Sequence, residues 1–334
     1  MWRHRSDEWW LASWWRQDTA PAASAPRLWS SRDDGRSWQE RGRLNLTWTC
    51  DGNPGTGGLS SLRLRDGRLM MLVHRDVPDF HGGGVPAIAT SRDEGATWTP
   101  LQVLQGARGP LPESTYYALN DRLLELRSGR LLLLTSAMER APGRAEGDAN
   151  ALVSLWSDDG GATWARSQPV ALPGDARGLQ EPCALEGEGG TVFALARTGT
   201  GAHHALRSHD GGESWSAPQP TTLRAACSPF QLLRLRDGRF VAFYNAATPL
   251  GAGAFFPRTP LVHALSCDEG ASWSAPVLVD DEAHRQLIYP CAREVAGGVL
   301  VVYSVLCARE DGSFGLSQEE QRIGGGKTCV LTPL

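Results

Sequence analysis

The sequence predicts an all-β fold, a single six-bladed β-propeller over residues 1–334, and three observations predict it. The first is a phrase, Ser-x-Asp-x-Gly-x-x-Trp, that occurs five times: Ser31–Trp38, Ser91–Trp98, Ser157–Trp164, Ser208–Trp215 and Ser266–Trp273. Successive tryptophans are 60, 66, 51 and 58 residues apart, the size of a supersecondary unit repeated in space. Asp and Gly at these offsets make a tight turn, because the Asp side chain bonds nearby N–H groups and Gly accepts positive φ. The second is another hairpin signal upstream of each of the four later phrases, at Asp66-Gly67, Ser128-Gly129, Gly189-Gly190 and Asp237-Gly238, and once more after the last phrase, at Gly297-Gly298. The third is the run between turns, too short and too β-branched or aromatic for a helix. Strand, turn, strand, loop, strand, turn, strand is one four-stranded blade. Five such hairpins give five units, and the Ser31 phrase adds a sixth that looks incomplete.

Composition agrees and excludes several functions. Thirteen Trp, 38 Gly and 41% hydrophobic residues suit one large β domain. A net charge of −4 and a pI near 6.1 give no electrostatic case for nucleic acid. No apolar run approaches membrane-spanning length, so no membrane partner is expected. Asp7 and Glu8 stand where a signal peptide needs its apolar core, so a cytoplasmic location is expected. The seven cysteines are odd in number, widely spaced and without a CxxC pair. They read as buried thiols, neither a disulfide scaffold nor a zinc site. No metal or organic cofactor is expected, and the chain is expected to be a monomer or a weak homo-oligomer.

The blades are expected at about 1–50, 59–104, 113–171, 179–220, 228–279 and 288–334. In the first, Glu8–Trp15 and Arg27–Ser31 are the candidate strands, and its tryptophans pack on a neighbour or line a sugar-binding rim. An open ring would leave two unpaired edges, so the Trp-rich start is expected to pair with Cys329–Leu334. The mid-blade loop of the second, His74–Gly84, is polar and glycine-rich, and loops on a rigid scaffold carry function. Its ionisable candidates are His74, Asp76, Asp79 and His81. The third opens with Tyr116, Asn120 and Arg122 at or just inside its inner strand, and residues 141–150 form a loop able to overhang a pocket. In the fourth, Glu181 precedes Pro182 at a strand start, and Arg197 ends the next strand sixteen residues later. Both lie away from the intervening turn, so antiparallel pairing brings them to one end of the sheet. In the fifth, Tyr244 and Asn245 end a strand and Arg258 precedes the next. In the sixth, Tyr289 precedes Pro290 as Glu181 precedes Pro182. Radial symmetry brings these equivalent ends to one face.

A Glu, a Tyr and two arginines on one face have a chemistry. Converging guanidinium forks match the two oxygens of a carboxylate or phosphate. Tyr is a weak nucleophile until a neighbouring carboxylate takes its proton. A neutral nucleophile also avoids repulsion by an anionic substrate. This is the arrangement of a retaining glycosidase whose sugar carries a carboxylate at the reacting carbon.

With these residues in view, the chain resembles the sialidase (neuraminidase) superfamily, in its bacterial branch with BNR or Asp-box repeats, over residues 28–310. The five Asp boxes carry the resemblance, with QEP at Gln180–Pro182, ART at Ala196–Thr198, SPF at Ser228–Phe230, YN at Tyr244-Asn245, RTPL at Arg258–Leu261 and YP at Tyr289-Pro290. The resemblance implies Tyr289 as nucleophile and Glu181 as its base. It implies Arg197 and Arg258 as two members of an arginine triad, and a sialoside or other acidic glycan as ligand. The family's Arg-Ile-Pro segment, which holds the first triad arginine, is absent here, and Arg75 or Arg122 can act as a substitute clamp. Asp79, ahead of Asp76, is the candidate acid/base. Tyr116, Asn120, Tyr244 and Asn245 complete the candidate substrate-binding set. Three readings stay open: a sialidase-type hydrolase, a hydrolase or lyase on another acidic sugar, and a non-catalytic carbohydrate-binding propeller.

Overall fold

The computed structural model describes residues 1–13, 26–46, 59–76, 84–106, 109–110, 114–117, 122–139, 150–247, 258–282, 285–308, 314–315 and 326–332. Among them there is no helix, and the strands make six blades. Blade one is β1 (Trp2–Arg3), β2 (Trp9–Ser13), β3 (Arg27–Ser31) and β4 (Gln39–Arg43). Blade two is β5 (Ser60–Arg63), β6 (Leu69–Asp76), β7 (Gly84–Ser91) and β8 (Gln102–Val103), followed by the small pair β9 (Gln105–Gly106) and β10 (Gly109–Pro110). β11 (Ser114–Tyr117) pairs with both β7 and β13, so it joins blade two to blade three. Blade three is β12 (Leu123–Glu125), β13 (Leu131–Glu139), β14 (Ala151–Ser157) and β15 (Ala165–Arg166). Blade four is β16 (Gln180–Glu186), β17 (Val192–Arg197), β18 (Ala202–Ser208) and β19 (Gln219–Arg224). Blade five is β20 (Gln231–Arg234), β21 (Phe240–Asn245), β22 (Leu261–Ser266) and β23 (Val277–Asp280). Blade six is β24 (Arg285–Val295), β25 (Gly298–Ala308), β26 (Phe314–Gly315) and β27 (Gly326–Leu331), the last two both paired with β25.

The core lies between blades. Middle strands such as β17 (VFALAR) and β21 (FVAFYN) are buried along their whole length, because each face meets a neighbouring blade. That is why they read as continuous apolar runs and not as alternating ones. One apolar cluster fills each of the six joints.

The Asp boxes connect third and fourth strands at the rim. In the first, Gly35 N–H donates to Ser31 Oγ (2.8 Å), and Ser37 donates to Asp33 from its N–H (2.8 Å) and its hydroxyl (2.6 Å). The other four boxes repeat this pattern. The box glycine has a second reason to be glycine. A Cβ on Gly35 would overlap Leu300, one on Gly212 would overlap Leu132, and one on Gly270 would overlap Phe193. Each of those side chains belongs to the middle strand of the preceding blade, so the box is part of the joint as well as a turn.

Two expectations need correction. Blade one is complete: β1 and β2 are joined by a turn in which Asp7 N–H donates to the His4 carbonyl (3.0 Å). Asp7 holds φ 69°, where blade two has Gly67 at φ 88°, so the hairpin lacks its glycine signal. The ring also closes differently. Among the described residues no N-terminal strand pairs with a C-terminal one. Trp9, Leu11 and Trp29 instead pack face to face on Val295, Leu300 and Val302. Trp9 and Trp29 bury their large rings in this face.

Candidate active site

Three neighbouring blades break the register of their inner strands at one level. In blade four Gln180 pairs with Arg197 and Cys183 with Leu195, so Glu181 and Pro182 face a single residue. In blade six Ile288 pairs with Ser304 and Cys291 with Val302, so Tyr289 and Pro290 do the same. In blade five Ala225 bridges Ala246 and regular pairing begins at Gln231 with Phe243, so the stretch Ala226–Phe230 bulges between them. Such bulges re-aim a side chain that a regular strand would bury in the blade. Glu181 (φ 46°) and Tyr289 (φ 54°) both adopt the left-handed backbone. For a non-glycine residue that costs about 1–3 kcal/mol and persists only where the surroundings enforce it.

The surroundings of Glu181 do so. Its N–H donates to Ser136 Oγ of blade three (3.1 Å), and its carboxylate accepts from Arg197 Nη1 at 2.7 Å. Arg197 is only 4% exposed, and its Nε donates to Cys227 Sγ (3.4 Å) in the bulge of blade five. Burial works against the Arg197 charge, but Glu181 and Cys227 more than offset it, so its pKa is raised. Arg258 differs: burial first, then the charge of Arg197, push its pKa down. Arg258 hydrogen-bonds the Tyr289 hydroxyl. The Tyr289 phenol is pushed up by burial and by the Glu181 charge, while Arg258 and Arg197 pull the other way. Tyr289 is therefore neutral at neutral pH. Two guanidinium groups that repel each other, one carboxylate and a neutral phenol leave these four groups with an excess positive charge suited to an anion.

Other expected residues sit differently. Asp79 and Asn120 lie outside the described residues. Arg75 and Asp76 end β6, where they pair with Val85 and Gly84, and Tyr116 pairs with Ala137 and Gly84. Arg122 is buried, and it reaches from blade three to blade five. Its guanidinium donates to the Phe230 carbonyl (2.8 Å) and to Gln231 Oε1 (3.2 Å), with the Glu181 carbonyl at 3.5 Å. These bonds brace blade three against blade five. Tyr244 lies in the apolar joint of blades four and five, its pKa pushed up to about 12 by burial. It points there because its neighbour Asn245 takes the opposite face of the strand. Asn245 is fully buried, its amide occupied by protein groups.

Sequence reasoning missed Ser136, Cys227 and His203. Cys227 immediately precedes the SPF segment, which was the available signal. His203 packs between Phe230 (ring centroids 4.4 Å) and Tyr244 (5.7 Å). Burial, then Arg197, push its pKa down to about 3, so a neutral imidazole backs the arginine.

The model of the BNR repeat-like domain family matches residues 61–302. A sialidase from Micromonospora viridifaciens is 25% identical over 247 residues, covering 70% of this chain and 33% of that protein. The chain thus matches about a third of that relative's length. Among solved structures, a Dyadobacter fermentans protein of unknown function superposes with a TM-score of 0.69 at 20% identity, covering 93% of this chain and 90% of that one. The NanB sialidase from Streptococcus pneumoniae superposes with a TM-score of 0.62 at 14% identity, covering 91% and 64%. These structures share the six-bladed fold.

Proposed function

Because the chain belongs to the BNR repeat-like domain family and has the fold of sialidase propellers, we propose that it is an exo-acting, retaining glycoside hydrolase of sialidase type. It releases a terminal sialic acid or a related carboxylated sugar. The observation that carries the reading is the convergence of Glu181, Arg197, Arg258 and Tyr289 from blades four, five and six. Arg197 and Arg258 receive the sugar carboxylate. The Tyr289 oxygen attacks the anomeric carbon as its proton passes to Glu181. A raised phenol pKa suits this role, because the nucleophile stays neutral beside an anionic substrate until transfer occurs. Asp79, or Asp76 behind it, protonates the departing oxygen and later deprotonates the water that cleaves the glycosyl–tyrosine bond, and the departing Tyr289 oxygen takes its proton back from Glu181.

A second reading, a binding propeller without turnover, draws support from the Glu181 carboxylate, which is already engaged by Arg197. One experiment separates the two. Wild type and Tyr289→Phe are assayed on fluorogenic glycosides that include a sialoside, a 2-keto-3-deoxynonulosonate and neutral sugars. The substitution is expected to lower turnover of the acidic glycoside by roughly three orders of magnitude with binding retained, and a 2,3-difluoro acidic sugar should label Tyr289. If no acidic glycoside turns over and Tyr289 stays unlabelled, the binding reading replaces the hydrolase.

A further inference from the structure

Asn245 occupies in blade five the register position that Arg197 occupies in blade four, five residues beyond the strand residue paired with the Asp-box serine. Its amide makes a closed set of bonds. Oδ1 accepts from Ser228 Oγ at 2.7 Å. Nδ2 donates to the carbonyls of Arg258 (2.9 Å) and Leu287 (3.0 Å), with the Pro260 carbonyl at 3.5 Å. The orientation is unambiguous, since carbonyls only accept and the hydroxyl can donate. Leu287 lies two residues before Tyr289, and its N–H in turn donates to the Arg258 carbonyl (2.9 Å). Arg258 N–H donates to Gln286 Oε1 (3.0 Å). The Arg258 main chain is therefore tied to the strand that carries Tyr289, with Asn245 across the tie.

We propose that Asn245 is a positioning residue: it fixes the Arg258 guanidinium against the Tyr289 hydroxyl, and so sets where an anionic group must sit relative to the nucleophile. Only an amide supplies two donors toward carbonyls and one acceptor toward a hydroxyl in this space. Aspartate presents no donor to the carbonyls, and serine is too short to span them. The proposal deepens the preceding reading of Arg258 as a carboxylate clamp and rests on it for its binding arm.

The test has one arm that needs no ligand. The protein, labelled with ¹³Cζ-tyrosine, has five tyrosines, and Tyr289→Phe assigns the Tyr289 signal. Asn245→Ala is expected to move that signal toward its position in Arg258→Ala. Ser228→Ala, a milder change that frees Asn245 Oδ1, should move it the same way by less. In the Arg258→Ala background, Asn245→Ala should move it no further, because the effect passes through Arg258. Leu134→Ala, a core change in blade three, should leave it in place although it destabilises the fold. The second arm measures sialic acid binding, where Asn245→Ala should raise Kd about tenfold, and not at all once Arg258 is absent. A Tyr289 signal unmoved in folded Asn245→Ala and Ser228→Ala proteins overturns the proposal. Wild-type protein that fails to bind sialic acid would count against the carboxylate-clamp reading, while the tyrosine signal still decides the role of Asn245.

Discussion

Glu181 is held by opposing demands. Its carboxylate compensates a nearly buried guanidinium, and its backbone sits in a conformation that favours glycine. Removing one partner of a buried pair leaves an uncompensated charge, so Glu181→Ala is expected to cost about 3 kcal/mol or more in chemical denaturation. Glu181→Gly loses the same ion pair but relieves the left-handed strain. It should therefore be about 1 kcal/mol more stable than Glu181→Ala, against the usual order in a strand. If the alanine variant is the more stable, the bulge carries no strain. Tyr289 makes a different prediction. Arg258 lowers the phenol's pKa by charge and hydrogen bond, while burial raises it further. Arg258→Ala should therefore move the Tyr289 titration, followed by ultraviolet absorbance, to still higher pH. A downward shift would mean that Arg258 does not act on the hydroxyl.

The Asp boxes carry their own pH dependence. Asp93, Asp159 and Asp268 are each held down to about 2, first by a Thr or Ser hydroxyl and then by backbone N–H. At Asp210 partial burial works the other way and is outweighed by Ser214 and Ser208, again giving about 2. Depressed carboxylates stabilise the fold above their unfolded pKa near 3.8, and that stability is lost as pH falls toward 2. Thermal unfolding should show the melting temperature falling across that window, and Asp210→Asn should flatten the fall. An equally steep fall in the variant would place the acid-sensitive groups elsewhere. Gly270→Ala tests the joint beside the turn, because its Cβ would overlap Phe193 and its φ is 82°. A loss of about 2 kcal/mol or more is expected, beyond what the turn alone explains. These turns were legible because Ser, Asp, Gly and Trp each have a fixed geometric task. The inner hairpin of blade one was not, since Asp7 stands in for glycine and hides the punctuation. The convergence of Glu181, Arg197, Arg258 and Tyr289 is legible in the sequence, because antiparallel pairing and radial symmetry bring equivalent strand ends to one face. Tyr244 and Asn245 were not resolved, because consecutive strand residues take opposite faces and a bulge upstream shifts which face meets the channel. The brace made by Arg122 depends on reaching across the molecule from blade three to blade five, which no local pattern encodes.

A propeller must make every joint alike or close the ring by a special device. Here the joints share their parts. Main-chain N–H groups of Arg65, Arg127 and Arg236 donate to Glu125, Glu186 and Glu294 of the next blade, each at 2.8 Å. The closing joint between blades six and one uses the same Asp-box packing, Gly35 against Leu300, as the internal joints use. Hydrogen bonds reinforce it, among them Arg293 Nη2 to the Met1 carbonyl (2.9 Å) and Thr328 Oγ1 to the Gly35 carbonyl (3.0 Å). No shared strand locks this joint among the described residues, so its strength rests on side-chain packing. Leu300 is fully buried at its centre, and Leu300→Ala should cost about 2–5 kcal/mol through lost contacts and the cavity left behind. The loss should be local. Hydrogen exchange should rise in β2, β3, β24 and β25 ahead of β17 and β21, which pack at other joints. The ion pair of Glu181 with Arg197 lies in blade four, so the positions of those side chains should survive the substitution. Uniform loss of protection across all six blades would show instead that the ring opens only as a whole, and that closure by packing is as cooperative as closure by a shared strand.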